Sequence, residues 1–294
     1  MNVKQWVTDK LGDYKLVTKN AGSRPWATSI VFKMDGKNSY ESTDDDIYLR
    51  ISEDGGVASN VDSNKTSNTT TYIDWDTFQW GPLKADLKGT FLKEYQNNDP
   101  YSDVYEIKEG DVVVDIGASN GIYTRSIVNK KPKHVFCLEP TKTLFPYLVK
   151  NTMGYPVTHI NKALSNLDGG YDHTGGSYSG PDVYECTTFN TFIKTYGIEH
   201  IDYLKTDCEG GEYNLFTPET IDFLVNNVGC IVGEFHLGNP SLEESFREFR
   251  DKYLVRFRYY KIYNVLGGDI TANIWTDHFI KHYREIIVHI SNKS

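Results

Sequence analysis

Asp111–Thr124 constrains the fold more than any other stretch of the chain. Val112 to Ile116 is a short, apolar, β-branched run, the pattern of a strand buried on both faces. It ends in Gly117-Ala118-Ser119-Asn120-Gly121, small residues that let the backbone turn sharply and approach a ligand closely. A helical pattern through Ile122, Ser126, Ile127 and Val128 follows, ahead of the breaker run Asn129-Lys130-Lys131-Pro132. Strand, glycine-bearing turn and helix form the first unit of a nucleotide-binding α/β sheet. The next apolar run, His134–Leu138, ends in Glu139, about twenty residues on, where such sheets set a carboxylate against ribose hydroxyls.

The same spacing excludes other ligands. A dinucleotide fingerprint needs glycine at its third and sixth positions, which here are Ser119 and Ile122, and no Gly-Lys-Ser/Thr follows to make a Walker loop. Asp115 would repel a pyrophosphate but suits a ligand with an amino group. S-adenosylmethionine (SAM) has that amino group, a ribose and no phosphate. Taken alone, the stretch also fits an ordinary βα turn whose glycines serve only the bend.

At 294 residues the chain has room for one large α/β domain and an appendage. Its net charge of −9 argues against non-specific attraction to nucleic acid. No apolar run approaches a membrane span and no signal-peptide core is read at Met1–Trp6, so a cytoplasmic protein is expected. Cys137, Cys186, Cys208 and Cys230 lack metal-ligand spacing and read as free thiols.

Two segments are distinguished, a β-rich extension over residues 1–88 and the α/β domain over 89–294. In the extension, Ser29–Met34 and Asp46–Ile51 read as strands, and Ala58–Thr71 as a polar loop or weak strand pair. Asn64 and Asn68 open glycosylation sequons, which without a secretory signal are set aside. The aromatic run from Tyr72 to Gly81 either packs against the main domain or offers a face to sugar rings. Thr90–Tyr95 is helical in pattern, and Glu94, Tyr95 and Tyr101 stand where such folds cover their ligand. Further on, a helix capped by Thr141 is expected to Asn151, then a strand at Val157–Asn161 and a long Gly/Ser/Tyr loop over Asp168–Pro181. Thr187–Tyr196 reads as a helix ended by Gly197, and Ser241–Tyr253 as one with Ser241 and Glu244 as a capping box.

The second chemical stretch is Ile201–Glu212. A strand over Ile201–Thr206 sets Tyr203, Lys205 and Asp207 to one side, with Asp207 at its carboxyl end and Glu209 in the turn beyond. Acids and a lysine at such an edge are costly unless they pair or bind something. A plain Lys205–Asp207 ion pair closing the strand is the competing reading. Glu212 opens the following helix, and the strand Gly229–Phe235 ends in Glu234-Phe235-His236, with Glu234 and His236 on one face. Strand Arg256–Val265, a helical turn at Phe279–Glu285 and strand Ile286–Ile290 complete the pattern. The order predicts a Rossmann-like, class I methyltransferase fold with a seven-stranded, mostly parallel sheet.

Asp111 to about Leu237 resembles the FkbM family of SAM-dependent O-methyltransferases. The resemblance rests on Val-Val-Asp-Ile-Gly-Ala-Ser-Asn-Gly at 113–121, Leu-Glu-Pro at 138–140, Asn-Lys-Ala-Leu-Ser at 161–165, Asp-Tyr-Leu-Lys-Thr-Asp-Cys-Glu-Gly-Gly-Glu at 202–212 and Glu-Phe-His at 234–236. It implies that Asp115, Gly117, Ala118, Ser119, Asn120 and Gly121 hold the methionine part of SAM, with Tyr123 nearby. It implies that Glu139, beside Pro140, takes the ribose, that Ala163 and Leu164 lie by the adenine, and that Asp207 closes the site near the sulfonium. The family methylates hydroxyls of sugars, glycolipids and polyketides, so the expected acceptor is a small molecule or glycan.

Removing a hydroxyl proton is the task left to the protein. Asp207 or His236 is the expected base, with Glu209, Glu234 and Lys205 completing the catalytic set. Asp207, Glu209, Glu234 and His236 are also competent ligands for Mg²⁺ or Mn²⁺, an option the residues leave open. The rivals are an RNA ribose 2′-O-methyltransferase, disfavoured by the acidic chain, and a SAM- or glycan-binding module without turnover.

Overall fold

A computed structural model describes the backbone of residues 15–20, 28–34 and 38–42 and residues 73, 75, 77–83, 88, 101, 105–172, 184–265 and 267–292. Three antiparallel strands, β1 (Lys15–Asn20), β2 (Thr28–Met34) and β3 (Asn38–Ser42), form a sheet in the extension, in that order. The expected strand at 29–34 is realised in β2. Those at 46–51, the polar tract at 58–71 and the helix at 90–95 lie outside the described residues.

The domain is organised by seven strands: β4 (Val112–Ile116), β5 (His134–Leu138), β6 (Val157–Ile160), β10 (Ile201–Thr206), β11 (Val228–His236), β12 (Tyr259–Asn264) and β13 (Glu285–Ser291). They pair in the order β12-β13-β11-β10-β4-β5-β6. Only β13 runs against its neighbours, so the sheet is mostly parallel, the Rossmann-like methyltransferase architecture. The central strands read as continuous apolar runs because both faces are covered. Val114, Ile116, Leu204 and Phe235 enter one core with Phe246 and Phe249. Val113, Cys137, Tyr203 and Val232 enter the other with Tyr101, Ile122 and Tyr123. Ile73 and Phe78 are buried in that second core, and Trp75 stacks on Trp80 at 5.7 Å, so the aromatic run packs against the domain.

Helices α1 (Ile122–Ile127), α2 (Phe145–Asn151), α3 (Phe189–Thr195), α4 (Ile221–Asn227), α5 (Pro240–Glu248) and α6 (Asp277–Ile280) link the strands. Thr188 caps α3 through its side chain, its hydroxyl accepting from Thr191 N at 3.1 Å. Two caps differ from expectation. Asn239, not Ser241, caps α5, accepting from the Ser241 and Leu242 N–H groups, because Pro240 lacks an N–H and fits the first helical position. Helix α2 begins at Phe145 without a side-chain cap; the Thr141 carbonyl instead accepts from Leu144 and Phe145 in a preceding turn. Glu212 opens only a 3₁₀ turn, Glu212–Leu215. Three short strands, β7 (Ala163–Leu164), β8 (Tyr171–Asp172) and β9 (Tyr184–Thr187), form a further sheet in the order β7-β9-β8. Among the described residues no helix is long and apolar enough to cross a membrane.

Candidate active site

From β4 the chain steps outward through β5 and β6, then returns to set β10 against the other side of β4. The order therefore reverses between β4 and β10, and crevices outside the carboxyl ends of such a pair bind ligands. Gly117 follows β4 and Asp207 follows β10. Their backbones are joined there, since Asp207 N donates to Ile116 O at 3.0 Å.

The turn after β4 is drawn over β5. Gly117 and Ala118 N–H both donate to Leu138 O, at 2.9 and 3.0 Å. Ser119 adopts φ 51°, a left-handed conformation rare for a residue with a Cβ, and its N–H donates to Glu139 Oε2 at 2.7 Å. The other oxygen, Oε1, accepts from Thr141 N, also at 2.7 Å. Burial raises the Glu139 pKa, and the two backbone donors and Lys205 only partly offset it. Asn161 braces the same corner by donating to the Glu139 and Pro140 carbonyls.

Asp115 and Lys205 are register partners on neighbouring strands, so their side chains share a face. Asp115 has no exposed surface: Oδ2 accepts from Thr124 at 2.6 Å and Oδ1 lies 3.3 Å from Lys205 Nζ. The ion pair at the strand end is thus Lys205–Asp115; Asp207 Oδ2 is farther from Nζ, at 4.0 Å. Lys205 also donates to Gly117 O at 2.9 Å and lies over the rings of Tyr101 and Tyr123. Burial alone would lower the Lys205 pKa, but the charges of Asp115 and Asp207 outweigh it and the ammonium persists. Asp115, expected beside the amino group of SAM, is wholly buried, with Lys205 and Thr124 as its neighbours. Tyr123 is buried too, its ring beneath Lys205 Nζ.

Asp207 is different. Its side chain is 31% exposed and accepts from Tyr101 OH at 3.0 Å. Beyond it the chain makes a tight turn, with Glu209 at φ 57°, and Glu212 holds that turn from inside. The Glu212 carboxylate, wholly buried, accepts from the N–H groups of Cys208 and Gly210 and from His236 Nδ1 at 3.1 Å. His236 Nε2 faces Glu234 at 3.6 Å and Glu209 at 3.7 Å. Burial would lower the His236 pKa, but the hydrogen bond and charge of Glu212, with Asp207 and Glu234, push it up to about 10. At neutral pH this imidazole therefore holds its proton and donates. Burial also pushes the Cys208 thiol up, which favours its neutral form. Ala163 and Leu164 lie beside the turn, where Asn214 Nδ2 reaches Leu164 O at 3.5 Å. Glu212, expected only to start a helix, is thus the residue that ties the Asp207–Gly211 turn to His236.

A model of the methyltransferase FkbM domain matches residues 96–261, just over half of the chain. The chain belongs to the FkbM methyltransferase family. No curated protein matches it. Among solved structures, it is similar to a precorrin-6y C5,15-methyltransferase from Geobacter metallireducens, with 14% identity, TM-score 0.38, and 76% of this chain and 97% of that one covered. A ribosomal RNA methylase from Streptococcus thermophilus gives 12% identity and TM-score 0.40 over 71% and 97% of the two chains. A chain from Streptococcus mutans in complex with SAH, the demethylated cofactor, gives 12% and 0.40 over 71% and 98%.

The cofactor of this FkbM methyltransferase is SAM, and the residues present fit it. SAM carries a sulfonium and an ammonium against one carboxylate, a net single positive charge. Lys205 set against Asp115 and Asp207 leaves this trio with one negative charge more than positive. Glu139, its oxygens pinned by backbone N–H groups, remains an acceptor for a diol. When bound, SAM supplies a methyl group already activated by its sulfonium.

The His236 assignment predicts a titration. Its ring resonances in NMR should stay those of an imidazolium through the neutral range and move only as pH approaches about 10. Because that value lies above the unfolded one of about 6.5, the pairing contributes its full stability below the unfolded pKa and loses it as pH rises through the folded one. A midpoint near the unfolded value would restore His236 as a proton acceptor.

Proposed function

We propose that this FkbM methyltransferase transfers a methyl group to a hydroxyl of a sugar, glycan or similar polyol, with Asp207 as general base. The observation that carries this reading is the place of Asp207. It is the partly exposed carboxylate at the switch point, bonded through its backbone to the strand that bears the cofactor turn. An alcohol needs its proton removed as the methyl group is transferred, and a positioned carboxylate provides that. Tyr101 OH donates to Asp207 Oδ2 and so orients the acid, with Lys205 Nζ 4.0 Å from the same oxygen. His236 serves as a donor that holds Glu234 and Glu209 near the acceptor, rather than as the base. A rim bearing Asp207, Glu209 and Glu234 favours uncharged hydroxylic acceptors over a phosphate backbone, which needs cationic partners. That favours a sugar over the ribose of RNA.

A cation-assisted variant has its own geometry. Ligand atoms of Asp207, Glu212 and His236 lie within 4.8 Å of one another, as do those of Glu234, His236 and Glu285. Glu212 is already engaged by backbone N–H groups and by His236, which favours the proton-transfer reading.

Tritiated methyl transfer from SAM to a panel of neutral sugars, glycolipids and RNA, with and without EDTA, tests both. Label in a sugar hydroxyl, undiminished by EDTA, is the expected result. Label in RNA alone would replace the acceptor class, and loss restored by Mg²⁺ or Mn²⁺ would put a cation at the trio. Transfer to none, with SAM binding seen by calorimetry, would leave a binding module.

A further inference from the structure

Asn151, the last residue of α2, is the most fully used side-chain amide around the cofactor turn. Its Oδ1 accepts from Gln79 N at 2.9 Å, and its Nδ2 donates to Gln79 O at 2.9 Å and to Asn120 O at 2.8 Å. The first two bonds pair an amide with both backbone groups of one residue, as a neighbouring strand would. The third reaches into the Gly117–Gly121 turn. Asn120 returns the connection: it has no exposed surface and its Nδ2 donates to Trp80 O at 3.3 Å. Gln79 and Trp80 lie ahead of the family-matched region, which starts at residue 96. They are held from behind by the Trp75–Phe78–Trp80 ring cluster and by Gly81 against Tyr147.

We propose that Asn151 is a positioning residue for SAM. It clamps Gln79–Trp80 onto the cofactor turn, so a segment outside the family-matched region supports the cofactor site. The turn needs such support. Ser119, next to the clamped Asn120, has φ 51° and aims its N–H at Glu139. A left-handed residue with a Cβ relaxes unless its neighbours over-determine it. Release of Asn120 O and Trp80 O lets Ser119 relax and leaves Glu139 with one backbone donor fewer. The cost falls on cofactor affinity, since none of the clamp's hydrogen bonds involves Asp207 or His236.

The test is Asn151→Asp, which keeps the shape and the Gln79 N–H acceptor but turns both donors into an acceptor facing two carbonyls. Calorimetric titration with SAH should show the Kd weakened about tenfold or more, at an unchanged stoichiometry near one site per chain. Partial misfolding would instead lower the stoichiometry and leave the Kd of the remaining sites alone. Gln79→Pro removes the backbone donor from the other side of the clamp. If the two act through one device, the double variant binds SAH no more weakly than the worse single variant. Unchanged affinity in both single variants, or losses that multiply in the double, would overturn the proposal. If Asn151→Asp does not fold, Gln79→Pro alone decides: a weakened Kd supports the clamp and an unchanged one removes it.

Discussion

Gly117→Ala is expected to abolish measurable SAM binding. A Cβ at this residue would lie 1.7 Å from Asp207 O and 2.7 Å from Asp207 C, both backbone atoms. Neither can rotate away, because Asp207 N is bonded to Ile116 O one residue before the glycine. The substitution therefore pries β4 from β10 at the switch point, and with them the turn, Lys205 and Asp207. Its φ of +77° adds a left-handed strain of roughly 1–2 kcal/mol for a residue with a Cβ, while overpacking of this kind costs about 1–3 kcal/mol. Gly154→Ala separates the two effects. Gly154 has φ +86° with nothing within 4 Å of its Cβ position, so it carries the backbone strain alone. SAH calorimetry should show near-normal binding for Gly154→Ala and none for Gly117→Ala, with the latter also melting at lower temperature. Comparable affinities for the two would mean that the close approach of β4 and β10 does not shape the site.

That close approach marks the limit of what the chain discloses by itself. The central strands were legible because each is a short apolar run bounded by breakers, and a sheet covered on both faces leaves few other uses for such runs. Lys205 and Asp115 each stood out, yet nothing in one dimension says that β10 returns beside β4 and sets them in register. The nearer acid in sequence, Asp207, was therefore the natural partner to expect. The donor character of His236 was hidden for the same reason: Glu212, its hydrogen-bond acceptor, is 24 residues away and reaches it only through the Glu209 turn. Helix caps failed where a proline shifted the start, as at Asn239-Pro240. Asn151 read only as the end of a helix, because its partners come from segments 72 and 31 residues distant. Motifs within one segment were readable; pairings between segments were not.

Asp207→Asn should lower kcat by about 10²- to 10⁴-fold, the usual worth of a positioned general base. The exchange is nearly isosteric. An amide oxygen in place of Oδ2 can still accept from Tyr101 OH, now at 3.0 Å, and the backbone bond to Ile116 is untouched. What disappears is the capacity to take the acceptor's proton. One negative charge at the switch point disappears with it, leaving Asp115 to balance Lys205 one for one. Affinity for SAM, the net cation, should consequently fall, while affinity for neutral SAH should change less. The two losses are distinguishable: SAM and SAH calorimetry reads the charge term, and kcat at saturating SAM reads the proton transfer. A variant that binds SAM more weakly yet turns over at the wild-type rate would keep Asp207 as a cofactor residue and move the base to Glu234 or Glu209. His236 would not inherit the role, since an imidazole held by Glu212 with a pKa of about 10 has no vacancy for a proton at neutral pH. On the proposed reading the base at this sheet edge is a carboxylate, and Asp207 is the one whose backbone N–H is bonded to Ile116 O at the end of β4.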